Sequence, residues 1–122
     1  MYLVGAAHAN KDAATRLLET AIARGDRLVT DAEVLQEILH RYVAIARRDA
    51  IQPAFDIVRS VADVIYPVES VDVDRAKAIV LGARSISARD AVHVAIMQRY
   101  GIAKVLSFDG DFDQFPWLKR LH

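Results

Sequence analysis

Short apolar runs alternate with amphipathic helical stretches along this chain, and that alternation limits the folds open to it. Arg27-Leu28-Val29, Val64-Ile65-Tyr66 and Lys104-Val105-Leu106 read as strands too short to be helices. Between them the apolar period lengthens. Residues 11–24 place Ala13, Leu17, Leu18, Ala21 and Ile22 on one face, with Asn10 as cap and Gly25-Asp26 as the stop. Thr30-Asp31-Ala32-Glu33 is a capping box, with Thr30 as cap, that opens a helix to about Arg48. Its core stripe is Val34, Leu35, Ile38, Leu39, Tyr42 and Val43. Residues 53–60 form another helix, and Pro67 puts the strand before it in the sequence near a sheet edge. Residues 72–81 are a helix ended by Gly82, and Ser87 opens one that runs to Tyr100 and closes at Gly101. Residues 107–115 form a polar loop anchored by Phe108, Phe112 and Phe115, and residues 116–121 add a last extended piece.

Strands separated by helices predict a small parallel sheet flanked by helices, an α/β fold in three layers. At 122 residues and 53% hydrophobic composition, the chain suits one domain (1–122) with a single core. No apolar run is long enough for a membrane span, and the N-terminus lacks the basic segment of a signal peptide, so a cytoplasmic location is expected. The absence of cysteine excludes disulfides, thiolate metal sites and cysteine nucleophiles. Sixteen basic and 16 acidic residues cancel, which removes global steering toward nucleic acid but leaves room for a local basic face.

Ligands of open parallel sheets bind beyond the carboxyl ends of the strands. Thr30 and the segment Ser107 to Asp109 fall there. Three carboxylates, Glu37, Asp90 and Asp109, stand at or near the ends of apolar elements. Such oxygen ligands suit hard divalent cations. Each also has an ordinary structural reading. Glu37 borders an apolar stripe, where charged residues are usually solvated. Asp90 sits third in a helix capped by Ser87, where an acid suits the unpaired amides. Asp109, Asp111 and Asp113 could be a solvated loop; their spacing resembles an EF-hand start, but the required glutamate is missing.

Glu37-Ile38-Leu39-His40 and Asp90-Ala91-Val92-His93 share an acid-x-x-His spacing. Di-iron bundles use Glu-x-x-His, but they need further glutamates and four helices, which the strands here oppose. His93 is expected to be packed or hydrogen-bonded rather than a ligand. There is no Gly-rich phosphate loop, nucleophile elbow or HExxH motif.

Three segments carry a family resemblance: residues 28–38, with Thr30-Asp31-Ala32-Glu33 and Glu37; residues 81–95, with Ser87-Ala88-Arg89-Asp90-Ala91-Val92-His93; and Val105-Leu106-Ser107-Phe108-Asp109-Gly110-Asp111-Phe112. In order and spacing they resemble PIN-domain proteins, specifically the VapC-like toxins of bacterial toxin–antitoxin pairs. The resemblance implies a Mg²⁺- or Mn²⁺-dependent endoribonuclease that hydrolyses RNA phosphodiester bonds. It implies Glu37, Asp90 and Asp109 as metal-binding catalytic acids, with Asp90 the principal ligand. Asp111, Ser107 and Thr30 would support the site, and Arg89 and Arg84 would hold the RNA backbone. An antitoxin that inserts a peptide into the acidic site is the implied partner, and the apolar stripes of the early helices suit a homodimer.

The family's first strand ends in a metal-ligating aspartate. Here Tyr2-Leu3-Val4 is similar to the helix that follows that motif. The expectation is therefore an N-terminally incomplete domain without the first strand and its acid. The alternative function is a catalytically impaired module that binds RNA or an antitoxin without cleavage.

Overall fold

The computed structural model describes residues 1–4, 16, 19–107 and 110–121. Five strands form one fully parallel sheet: β1 (Tyr2–Leu3), β2 (Val29–Asp31), β3 (Val64–Tyr66), β4 (Lys104–Leu106) and β5 (Lys119–Leu121), in the order β3-β2-β1-β4-β5. Helices α1 (Ala32–Ala44), α2 (Ile51–Val61), α3 (Ser70–Gly82) and α4 (Ala88–Arg99) connect the strands and flank the sheet. Short 3₁₀ segments lie at Arg48–Ala50 and Gly110–Gln114. Among the described residues, no helix is long and apolar enough to cross a membrane.

The centre of the sheet corrects one expectation. Tyr2–Leu3 is neither helical nor outside the sheet: it fills the central position, with Tyr2 opposite Val29 on one side and Val105 on the other. Two neighbouring strands would otherwise bury unpaired amides and carbonyls, so a short segment that completes both ladders is strongly favoured. The Tyr2 side chain is fully buried in a core with Val4, Val29, Val94, Ile96, Met97, Val105, Phe112 and Leu118. Val4 follows Leu3, so this strand has no acid directly at its end.

β3 and β4 lie where the apolar runs put them, and β3 is an edge strand. β2 begins two residues later than expected. Its ladder with β3 runs on through Asp31, paired with Tyr66, so the chain enters α1 one residue later as well. Asp31 is therefore the N-cap, accepting from the Val34 amide at 3.2 Å, and Thr30 is not. The Thr30 hydroxyl instead donates to the Leu3 carbonyl at 2.7 Å.

α1 stops at Ala44, short of Arg48, because Ala46 adopts a left-handed backbone (φ 56°) that no helix can continue through. Of its predicted stripe only Val34 is buried; Leu39 and Val43 remain exposed. Half of the expected helix over residues 11–24 lies outside the described residues. Residues 19–23 are helical, with Ala21 buried and Ile22 exposed, against the expectation that both face inward.

α4 is the most deeply set helix. Ser87 caps it by accepting from the Asp90 amide at 3.1 Å, and Ala91, His93, Val94, Ala95, Ile96 and Met97 are all buried. Its small residues Ala91 and Ala95 meet Ala76 of α3, which allows close approach of the two helices. Each large apolar side chain buried this way contributes about 1.5–3 kcal/mol.

Candidate functional site

Two buried polar residues face each other from β2 and α4. The Nδ1 of His93 lies 2.6 Å from Asp31 Oδ2, and its Nε2 lies 2.9 Å from Glu37 Oε1. Asp31 and His93 are wholly inaccessible, while Glu37 keeps a small exposed edge. The Tyr2 hydroxyl also donates to Asp31 Oδ2. Asp31 thus caps α1 with one oxygen and receives His93 and Tyr2 on the other. Among the described residues, no buried side-chain polar atom lacks a partner.

Geometry explains why Glu37 and Asp90 come together. Glu37 lies six residues beyond the cap of α1, and Asp90 lies in the first turn of α4. Asp90 and His93 are three residues apart and share a helix face. Glu37, Asp90 and His93 each offer a ligand atom, and these atoms lie within 4.8 Å of one another. Glu37 and Asp90 are half-buried, so the cluster opens to solvent on the side away from His93.

Charge follows from this packing. Burial pushes the His93 imidazole down, but the hydrogen bonds and charges of Asp31 and Glu37 outweigh it and lift the group to about 10. His93 is therefore an imidazolium at neutral pH, with both N–H groups directed at carboxylates. No ring lone pair is left for a cation while those bonds hold. The donor set that fits a divalent cation is thus carboxylate oxygen from Glu37 and Asp90, completed by water, a pattern suited to Mg²⁺ or Mn²⁺. Glu33, one turn before Glu37, is also raised, first by burial and then by the charges of Glu37 and Asp31, with His93 and Arg89 opposing. Burial, reinforced by Asp31, pushes the Tyr2 phenol far above its ordinary value.

The other sequence candidates fall at different places. Asp109 lies outside the described residues. Ser107 is buried just past β4; its amide donates to the Leu121 carbonyl at 3.2 Å, and its own carbonyl accepts from Arg120. Asp111 is half-buried in the 3₁₀ segment, and its carbonyl accepts from Gln114. Thr30 is turned toward β1 rather than brought to the acid cluster, because its hydroxyl is committed to Leu3. Arg84 and Arg89 are exposed. His40 is exposed and stands apart from the cluster, and the parallel sheet removes the di-iron bundle. Asp31 is the residue that sequence reasoning passed over. It looked like the interior of a capping box, and its meeting with His93, 62 residues away, has no local signature.

The profile of the PIN domain family matches residues 1–118. The chain belongs to this family. It is 56% identical over 121 residues to Ribonuclease VapC13 of Mycobacterium tuberculosis, covering 99% of this chain and 92% of that protein. Ribonuclease VapC23 of the same species is 38% identical over 109 residues, covering 89% and 86% of the two chains. The fold is similar to the crystal structure of Mycobacterium tuberculosis VapC20, described as a sarcin-ricin loop cleaving toxin. The TM-score is 0.76 at 23% identity, over 93% of this chain and 92% of the other. VapBC2 from Rickettsia felis, solved bound to a DNA fragment from its promoter, matches with a TM-score of 0.73 at 16% identity, over 98% and 96%. Both structural likenesses bear on the fold alone.

Proposed function

We propose that this PIN-domain chain is a divalent-metal-dependent endoribonuclease that hydrolyses RNA phosphodiester bonds as the toxin of a toxin–antitoxin pair. One observation carries the reading: Glu37 and Asp90, from separate helices, meet at a solvent-open position backed by a buried imidazole. Relatives bearing the name ribonuclease over nearly the whole chain support it.

In this reading Asp90 is the principal ligand, and Glu37 and Asp109 complete the shell directly or through water. Bound Mg²⁺ or Mn²⁺ supplies an activated water and stabilises charge on the phosphate and leaving oxygens. The Ser87 hydroxyl accepts from the Asp90 amide, so the backbone of Asp90 is set at the start of α4 before any cation arrives. Asp111 and Ser107 support the walls, and the exposed Arg89 and Arg84 hold the RNA backbone by charge. A cognate antitoxin protein is the expected partner, and the cytoplasm the expected location. The apolar side chains that α1 and its end leave in solvent, Leu39, Val43 and Ile45, suit a homodimer.

A specific observation keeps a second reading in play. β1 carries no aspartate at its end, so the cluster has one carboxylate fewer than the family pattern, which favours a catalytically impaired module that binds RNA or an antitoxin without cutting. Mn²⁺-dependent cleavage of a structured RNA, compared with Asp90→Asn, decides between them. Cleavage by the unaltered chain and its loss in the variant is the expected result. Equal cleavage by both defeats the assignment, and no cleavage by either leaves the binding module.

A further inference from the structure

Asp31, His93 and Glu37 form a continuous hydrogen-bonded line from the buried end of β2 to the half-exposed acid cluster. Asp31 and Glu37 belong to the same helix, one at its cap and one in its second turn, and the His93 ring from α4 bridges them at 2.6 and 2.9 Å. Burying a carboxylate and an imidazole together costs several kcal/mol of desolvation per charged group. A well-packed apolar pair could fill the same space without that cost. The buried pair leads toward solvent through the Glu37 carboxylate, which lies beside Asp90.

We propose that Asp31 and His93 are a positioning pair for Glu37, holding Oε1 so that the carboxylate's other oxygen is presented to the cation shared with Asp90. This rests on the metal-dependent reading above. Asp31 fixes the ring by taking Nδ1–H, and the ring fixes the rotamer of Glu37 through Nε2. The Asp31 carboxylate is itself immobilised because its second oxygen caps α1 at the Val34 amide. His93 is then not a ligand, although its ring lies within reach of one. A glutamate freed from this clamp has several rotamers to lose on binding, so the cation pays an ordering cost that the clamp has already met. Outer-shell partners of this kind typically change metal affinity by about 10–100-fold.

The test uses the full chain, with Mn²⁺ affinity and Mn²⁺-dependent cleavage of a structured RNA as paired readouts. His93→Gln and Asp31→Asn are each expected to weaken Mn²⁺ binding by about 10–100-fold, with cleavage largely recovered at saturating Mn²⁺. In Glu37→Gln the same two changes should add little, because the group they position is already altered. A merely structural role would lower stability and would not produce that non-additivity. Equal Mn²⁺ affinity in His93→Gln, Asp31→Asn and the unaltered chain, or full additivity with Glu37→Gln, overturns the inference.

Should the variants fail to fold, the unaltered chain still decides. The side-chain ¹⁵N signals of His93 are followed as Mg²⁺ is added. Retention of the Nε2–H at saturation supports positioning, and its loss makes His93 a direct ligand and overturns the proposal. A different result, in which the unaltered chain neither binds Mn²⁺ nor cleaves RNA, removes the nuclease reading and this inference with it. Activity with unaffected variants removes the inference alone.

Discussion

Among the described residues, two buried aspartates stand at helix starts, and they serve different ends. Asp72, in the first turn of α3, is 1% exposed; it accepts from the Glu69 amide at 2.9 Å and from Arg99 at 3.1 Å. Arg99 reaches on to Glu69, also at 3.1 Å, and lies over the ring of Tyr100, which stacks on Tyr66. That network finishes at the surface, with a cation whose charge is met on the spot. Asp31 is equally hidden, but its partner is an imidazole whose far nitrogen leads to Glu37 and the acid cluster. A buried acid by itself therefore says little about function. What its partner connects to tells a clamp on the fold from the support of a site.

The largest effect expected is in neither network. Asp90→Asn removes the principal candidate ligand and leaves both buried aspartates intact. RNA cleavage should fall below detection while circular dichroism and the melting temperature stay close to those of the unaltered chain. Asp31→Ala comes next. It strands an imidazolium in the core, so urea unfolding should report a loss of about 3–5 kcal/mol, together with weaker cleavage at subsaturating Mn²⁺. Asp72→Ala removes a helix-start acceptor and should cost about 1–2 kcal/mol, with cleavage per folded molecule unchanged. Equal losses of activity in these two variants would break the contrast between the networks.

A pH series sharpens it. Folding lifts His93 from its ordinary 6.5 to about 10, so the protonated ring stabilises the native state. That contribution is fully present below about pH 6.5, declines as pH rises, and is gone above about 10. Urea midpoints taken in EDTA should therefore fall across this window for the unaltered chain and stay flatter for His93→Gln. The smallest effect belongs to the surface end of the other network: Arg99→Lys keeps the charge but loses the forked geometry, and should shift the melting temperature only slightly.

The alternation of strand and helix was readable because each element carries its own period. β3, β4 and the Ser87-capped α4 lie close to where local pattern puts them. β1 was not readable: two residues, Tyr2 and Leu3, are too few to show any period, and only the ladders on both sides make them a strand. The stripe of α1 showed an apolar repeat but not what covers it, and Leu39 and Val43 prove to face solvent. Within the site, Glu37 and Asp90 were visible as acids beside apolar stripes. Asp31 was hidden by its resemblance to an ordinary cap, which it also is. His93 gave its spacing from Asp90 but not its two carboxylate partners, 56 and 62 residues away.

The register of the central strand also bears on how the molecule is made. Tyr2 pairs with Val105, so the middle of the sheet joins segments from opposite ends of the sequence. Closing long loops is entropically unfavourable and slow compared with local contacts. β1 precedes β4 in the chain, yet it waits for β4 before both its edges are satisfied. α4, which carries Asp90 and His93, has no finished sheet to lie against until then. The acid cluster is thus in place only after β4 has joined β1 at the middle of the sheet.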